Sequence, residues 1–552
     1  MDNKLELLCQ RLFPAPLPTP AELEIKYPPR QLPADALVTR VAPSPTGFVH
    51  FGGLYAALIS ERLAHQSHGI FFLRIEDTDK KREIAGTADL FAAAIKKYGI
   101  LADEGPDQNG REQGVYGPYK QSERKQIYQA YVKDLLLKGL AYPCFSTPEE
   151  LEELRARQEA MGERSGCWGH FAAWRNKKPE EALSALDNGL KPVIRLKSPG
   201  NFSNKIMVED LLIGRREMPE NDQDIVIMKA DGLPTYHFAH AVDDHLMRTT
   251  HVIRGNEWFP SLPLHLQLFQ ILGWKAPFYA HLAPIQKLDE DKKRKLSKRK
   301  DPEANLEYYQ AAGYPKEAII EYLLNLANSN FEDWRRANPE TNNQEFILTF
   351  KKLANSNGPL FDLIKLTDIS RNIIAKLDAG AVYAESVAWA RQYDRELEKL
   401  LLNDPEYSKN ILDIERAGAV KPRKDLSSWS EIKEEINYFF DDNFNVPKEL
   451  INEIETELAG VDTKALTAAF LKIYDENDDP EAWFEKLKTV ARQYGLAANG
   501  QEYKAAPGKY RGQVGSVAKL LRILLTGRTK TPNLCLIMQV MGRERVIKRL
   551  TA

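Results

Sequence analysis

Apolar positions change rhythm along this chain, and the changes divide it into parts. Leu37-Val38-Thr39-Arg40-Val41 reads as a short strand with apolar alternation, and Ala42-Pro43-Ser44-Pro45-Thr46-Gly47 after it is turn chemistry. Residues 54–66 carry helix formers with apolar side chains at Leu54, Leu58, Ile59 and Leu63. Gly69 would end that helix before a second strand, Ile70-Phe71-Phe72-Leu73-Arg74-Ile75. Strand, glycine-bearing loop and helix form the opening of an α/β nucleotide fold. From about 116 to 237 the pattern is mixed, with a charged helix near 148–160 and short β-like runs at 193–196 and 225–228. This stretch is read as an insertion between two halves of the nucleotide domain. Helical spacing returns near 262–272 and dominates from about 303 onward, as at 318–326, 466–474 and 481–494. A change from α/β to all-α marks separate domains. Residues 1–36, with prolines at 14, 16, 18, 20, 28, 29 and 33, are read as an extended lead-in that resists regular structure.

The length of 552 residues, 43% of them apolar, allows several cores and roughly three or four domains. A net charge of -2 gives no global basic field, so charge has to be read locally. Residues 503–552 hold eleven cations, Lys504, Lys509, Arg511, Lys519, Arg522, Arg528, Lys530, Arg543, Arg545, Lys548 and Arg549, against one acid, Glu544. Such a segment suits an RNA backbone; a helical domain with one basic face and no ligand is the alternative. The four cysteines, Cys9, Cys144, Cys167 and Cys535, are scattered, as expected of a protein in a reducing compartment. The N-terminus lacks a basic region followed by an apolar core, and no apolar run is long enough to span a bilayer, so a cytoplasmic location is expected.

Two segments carry candidate chemistry. In Ser44-Pro45-Thr46-Gly47-Phe48-Val49-His50-Phe51-Gly52-Gly53 the two terminal glycines have no Cβ, so a base or ribose could lie on the backbone where a helix begins. That helix end presents unpaired N–H groups to phosphate, and His50 could donate to a phosphate oxygen as charge develops. Alone, a Gly-Gly pair before a helix is usually a turn. The second segment is Asp291-Lys292-Lys293-Arg294-Lys295-Leu296-Ser297-Lys298-Arg299-Lys300. A dense cationic loop can neutralise a triphosphate and a departing pyrophosphate, or be merely a solvated basic run.

Together the two segments resemble the paired signatures of class I aminoacyl-tRNA synthetases. Residues 40–53 are similar to the first, His-Ile-Gly-His, with Pro43 and Gly53 as its ends here. Residues 295–299 resemble the second, Lys-Met-Ser-Lys-Ser, as Lys-Leu-Ser-Lys-Arg. Arg74-Ile75-Glu76-Asp77-Thr78-Asp79 resembles the bacterial-type glutamyl branch, where the glutaminyl branch usually has Phe-Asp-Asp-Thr-Asn. Gly232-Leu233-Pro234-Thr235-Tyr236-His237-Phe238-Ala239, Val242-Asp243-Asp244-His245-Leu246-Met247 and His251-Val252-Ile253-Arg254-Gly255 resemble the same family, as do Leu521–Gly527 and Met541–Val546 near the end.

The resemblance covers about 37–552 and implies a Rossmann-type catalytic domain with an inserted mixed α/β domain, followed by an all-α anticodon-binding region. Its expected parts are the extension 1–36, a first catalytic half 37–115, an acceptor-end insertion 116–237, a second half 238–302, a helical stem-contact domain 303–400 and an anticodon domain 401–552. The implied activity is ATP-dependent joining of glutamate to its tRNA, with magnesium accompanying ATP, tRNA required for activation, and a monomeric chain. The implied catalytic residues are His50, Gly52, Gly53, Lys295, Ser297 and Lys298, with Thr46, His50, Gly53, Lys295 and Lys298 on ATP.

Glutamate has two carboxylates and one ammonium, so its pocket needs about two cations and one acid, and guanidinium forks match carboxylates. Arg40 and Arg254 are the candidate forks and Glu76 the acceptor for the ammonium, with Ser44, Tyr236 and His240 beside them. By the resemblance, Arg40 and Tyr236 face the side-chain carboxylate and Arg254 the α-carboxylate. Each arginine alone would more often be a surface charge or structural ion pair. His240 departs from the family pattern, which has Asn there; it either touches the substrate or is a packed histidine. Some relatives hold zinc in the insertion, but Ser146 stands where a second cysteine is expected beside Cys144, and serine is a poor zinc ligand even with Cys167 and His170 available. No bound metal is expected. Three rival readings remain: a truncated paralogue that glutamylates a modified tRNA base, a non-catalytic RNA-binding relative, and a glutaminyl enzyme.

Overall fold

The computed structural model describes residues 3–45, 49–82, 84, 86–297, 299–353, 358–416, 418–419 and 422–551. They form two compact units, residues 1–308 with 320–362, and residues 309–319 with 363–552. The segment expected as a stem-contact domain, 303–400, is thus divided between them. No helix among the described residues is long and apolar enough to cross a membrane.

The first unit is built on parallel strands. Val38–Val41 pairs in parallel with Ile70–Leu73, Val38 opposite Ile70, and His251–Gly255 pairs in parallel with Phe278–Leu282. Thr250 joins the two pairs, its N–H donating to Val38 O at 3.0 Å. All four residues of Val38–Val41 are buried, as expected of a central parallel strand. The chain leaves this strand toward one side of the sheet and re-enters at His251–Gly255 on the other. That divergence is a topological switch point, where α/β sheets open a crevice at the carboxyl ends of their strands. Arg40 and Arg254 stand near those ends.

The helix Phe51–Gln66 covers this sheet with Phe51, Leu54, Leu58, Ile59 and Leu63 buried. Each such side chain contributes about 1.5–3 kcal/mol on leaving water. The interval expected as an insertion holds the helix Lys125–Leu137, an antiparallel sheet of Ala141–Cys144, Val193–Leu196 and Val226–Met228, and the hairpin Lys205–Asp210 with Gly214–Pro219.

The extended lead-in expected for residues 1–36 does not hold. Asn3–Leu12 and Pro20–Lys26 are helices, and Cys9, Phe13, Leu23 and Tyr27 are buried in the core of this unit. Thr19 and Glu22 form a reciprocal capping box, and Pro20 sits in the first turn, where its missing N–H is harmless. Lys4 and Arg11 pair with Glu180 and Asp187, while Glu24 pairs with Arg248 and His245.

The second unit is helical around one apolar core that includes Trp429, Phe470, Trp483, Leu521 and Met538. Here the basic tail looks different from its linear count. Lys519 pairs with Glu453 and Glu457, Arg528 with Glu435, and Arg545, Lys548 and Arg549 all with Asp441. Acids from other helices therefore neutralise much of the field read from residues 503–552. Lys504, Lys509 and Lys530 stay exposed.

Candidate active site

A cavity of about 650 Å³ opens at the switch point. Arg40, Ser44, His50, Gly52, Gly53, Glu76, Tyr236, Arg254, Lys295 and Ser297 all line it, so both signature segments and the expected amino-acid residues other than His240 share one space. Thr46 and Lys298 lie outside the described residues.

His50 is the N-cap of the helix Phe51–Gln66: its Nδ1 accepts from the Gly52 N–H at 2.8 Å. A neutral ring in that state carries its proton on Nε2, as a donor. A Cβ on Gly52 would stand 3.0 Å from His50 Nδ1, so a side chain there would press on the cap. The second signature is not a plain loop. Lys292–Lys295 is a strand, antiparallel to Gln286–Asp289. Leu296 is buried, and Asp301 accepts from both Arg294 Nη atoms at 2.6 and 2.8 Å and from the Ser297 N–H at 2.8 Å. The Arg294 contacts hold the Asp301 carboxyl far below its usual range. Lys295 is exposed, 3.7 Å from Glu257 at the rim.

Beneath the cavity lies a buried ionic cluster. Asp244 accepts from Arg74 Nη1 at 2.6 Å, Arg40 Nε at 3.3 Å and Thr249 Oγ1 at 3.1 Å. Arg74 Nη2 donates to Glu76 at 3.0 Å. Asp243 accepts from Arg124, Gln121 and Tyr128. Burial raises the Glu76 carboxyl, against the pull of Arg74 and Arg40; an ammonium beside it would favour the charged form further. Arg74 is fully buried and holds the floor of the site together.

Arg254 differs from the other arginines. Only 6% exposed, it donates to His281 Nε2 at 3.0 Å, His265 Nδ1 at 3.0 Å and Tyr236 Oη at 3.2 Å. Among the described residues no carboxylate lies within ion-pair distance of it. Tyr236 packs its ring on Trp258, centroids 4.2 Å apart, and Trp258 also lines the cavity. His240 does not line it. Fully buried, His240 meets Tyr279 Oη at 3.0 Å through Nε2, and its Nδ1 lies 2.8 Å from Asp244, off the line of a good hydrogen bond. Burial depresses its pKa, so the ring is neutral. Tyr236, His240 and Asp244 stand at successive four-residue steps on one face of the helix Tyr236–Leu246.

Sequence reasoning missed Arg74, Asp244, Asp301, Trp258 and the histidines His265 and His281. Arg74 and Asp244 meet across 170 residues, and His281 reaches Asp210 across 71, so no local pattern marks these contacts. In the insertion, Cys144 and Cys167 are buried in one apolar cluster with Tyr142 and Ala172. His170 packs on Phe171, with ring centroids 4.0 Å apart. No group of three or more potential metal ligands occurs among the described residues.

Residues 36–362 match the family described as tRNA synthetases class I (E and Q), catalytic domain, and residues 387–552 match an anticodon-binding domain. The chain is 49% identical to a glutamate–tRNA ligase of Clostridium perfringens, over 99% of this chain and all of that one. It is 35% identical to the glutamate–tRNA ligase of Thermus thermophilus, covering 93% of this chain and 99% of the relative. Among solved structures, a glutamate tRNA ligase from Elizabethkingia meningosepticum in complex with its amino acid superposes with a TM-score of 0.73 at 28% identity. That likeness covers 93% of this chain and 98% of the other. The match at 387–552 disfavours the truncated-paralogue reading.

Proposed function

This chain belongs to the class I tRNA synthetases of the E and Q type, and on that premise we propose how its cavity reads the amino acid. The reaction is the ATP-dependent ligation of glutamate to tRNA. An α-carboxylate oxygen of glutamate attacks the α-phosphorus of ATP, the bond to the β-phosphate oxygen breaks, and pyrophosphate leaves. A hydroxyl of the terminal tRNA adenosine then attacks the carbonyl carbon of the mixed anhydride, and AMP departs. Magnesium enters with the triphosphate as part of the substrate. Such chemistry needs mainly positioning and charge stabilisation.

One observation carries the choice of amino acid. Two buried guanidiniums, Arg40 and Arg254, line the cavity together with one buried carboxylate, Glu76. Arg40 already bonds Asp244, whereas no carboxylate lies within ion-pair distance of Arg254 among the described residues. Glutamate brings two carboxylates and one ammonium, the complement of that set; glutamine brings one carboxylate and sets a neutral amide against the Arg40 guanidinium, a weaker contact.

In this reading Arg254 takes the α-carboxylate, Arg40 and Tyr236 the side-chain carboxylate, and Glu76 the ammonium, with Ser44 at the cavity wall. His240 supports Asp244 and Tyr279 from behind and does not touch the substrate. Gly52 and Gly53 give the nucleotide close access to the helix end, and His50 donates to phosphate through Nε2. Thr46, Lys295, Ser297 and Lys298 serve the triphosphate and departing pyrophosphate. The family match at 387–552 supports tRNA as the macromolecular partner. ATP–pyrophosphate exchange, measured with glutamate or glutamine and with or without tRNA, tests the reading. Exchange with glutamate alone of the two is expected; equal exchange with both would defeat the charge argument.

A further inference from the structure

Arg254 is held by neutral rings, and the hydrogen bonds fix where their protons are. A guanidinium only donates, so His281 Nε2, 3.0 Å from Arg254 Nε, must be the unprotonated nitrogen. The ring's proton is then on Nδ1, which lies 2.7 Å from Asp210 Oδ2. The same logic applies to His265. Its Nδ1 accepts from Arg254 Nη2 at 3.0 Å, and its Nε2–H donates to His237 Nδ1 at 2.9 Å. Tyr279 lies nearly parallel to both rings, at 14° to His265 and 6° to His281, and the Arg254 guanidinium sits over the Tyr279 ring, 5.1 Å from its centroid.

Asp210 comes from the hairpin strand Lys205–Asp210, far from the signatures in sequence, and is buried. Its Oδ1 accepts from the backbone N–H groups of Leu212 and Ile213, both at 2.9 Å. That arrangement pins one oxygen to the turn and aims the other at His281.

We propose that Asp210 and His281 are positioning residues for the amino-acid site: Asp210 fixes the tautomer of His281, and His281 in turn orients Arg254 toward the substrate carboxylate. Three of the five guanidinium N–H groups are engaged by His281, His265 and Tyr236, and two remain for a bidentate carboxylate. All the acceptors on Arg254 are neutral, so the fork is oriented without its charge being cancelled. The inference rests on the reading of Arg254 as the substrate fork.

Three substitutions in the full chain separate the links. Asp210→Asn keeps an oxygen on the Leu212 and Ile213 N–H groups, which turns the amide NH₂ toward His281. The ring must then carry its proton on Nε2, donor against donor with Arg254. His281→Asn keeps a donor near Asp210 but cannot reach Arg254, whereas His281→Gln keeps an acceptor near Arg254 and gives up the side-chain bond to Asp210, leaving only that from the backbone N–H. The KM for glutamate should rise roughly five- to a hundredfold in Asp210→Asn and His281→Asn, the range for leaving a buried donor unsatisfied. The KM for ATP should stay within about twofold, and His281→Gln should recover most of the loss. The double variant Asp210→Asn/His281→Gln should be little worse than His281→Gln alone, because the contact that Asp210 then keeps with residue 281 is the long one from its backbone N–H, 3.2–3.3 Å. Additive effects, equal losses in the Gln and Asn variants, or parallel shifts in both KM values would overturn the proposal. Arg254→Ala is the control. If it leaves the glutamate KM unchanged, the reading of the fork itself fails; if it raises that KM while the Asp210 and His281 variants do not, only the positioning proposal fails.

Discussion

Replacing Arg40 by alanine probes the pocket most sharply. Arg40 is 3% exposed and donates to Asp244 across 3.3 Å. Asp244 keeps Arg74 at 2.6 Å and Thr249 at 3.1 Å after the change, so no carboxylate is stranded in the free protein. The cavity lining, however, is left with one buried guanidinium, Arg254, for two carboxylates. Bound glutamate would then bury a carboxylate with no guanidinium facing it. Truncating one partner of a buried hydrogen-bonded charge pair costs about 2–5 kcal/mol, which is roughly thirtyfold to several thousandfold in the KM for glutamate. Glutamine, being neutral, should lose less, so discrimination should narrow, and ATP should change much less than either. Arg40→Lys, which restores charge without the fork, should fall between wild type and alanine. The assay is steady-state aminoacylation with the three constants measured in one series. If all three stay within about twofold, Arg40 is only a structural ion pair; if the ATP constant moves most, it serves phosphate and the substrate assignment is wrong.

Lys298→Ala should lower the rate of adenylate formation roughly a hundred- to a thousandfold, by analogy with loss of one oxyanion donor, while tRNA affinity stays nearly unchanged; wild-type exchange rates would refute this. Metal analysis of the purified protein should find no stoichiometric zinc, because Ser146 breaks the expected ligand pair; one zinc per chain, lost in Cys144→Ala, would reverse that assignment. His65 bonds Asp103 and lies beside Glu61, and these contacts raise its pKa to about 10. A raised folded-state pKa contributes stability that is fully present below the unfolded value of about 6.5 and is lost as pH climbs through the folded value. The melting temperature of wild type should therefore exceed that of His65→Gln near pH 6, and the gap should close by about pH 10; a gap constant with pH would count against the pairing.

Local chemistry was legible in the sequence where local periodicity or turn chemistry decides the structure. The strand ending at Val41, the helix ending at Gln66 and the two signatures all follow from neighbouring residues, and one cavity gathers them. Prolines hid the N-terminal helices, although Thr19-Pro20-Ala21-Glu22 carries both an N-cap box and a first-turn proline; the apolar face of Asn3–Leu12 becomes meaningful only once a core receives Leu8 and Cys9. Arg74 was visible only as part of a family motif. Its partner Asp244 is 170 residues away, and nothing local distinguishes a fully buried arginine from a solvated one. The C-terminal cations misled for the same reason, since Asp441, Glu453 and Glu457 reach them only through the fold. His240 shows the limit of position-by-position likeness: the resemblance led to its being expected in the pocket, yet its ring points at Tyr279 and Asp244, behind the cavity.

The central claim is that two buried guanidiniums and one buried acid lining the cavity, Arg40, Arg254 and Glu76, select glutamate for transfer to tRNA. It is tested most directly by supplying labelled glutamate and labelled glutamine together, with ATP and a glutamate-accepting tRNA, and measuring which ester forms on the tRNA. Glutamate should be attached in an ATP-dependent manner, and glutamine should be rejected by at least about a hundredfold in kcat/KM. Comparable attachment of glutamine, or no ester with either amino acid, would contradict the account.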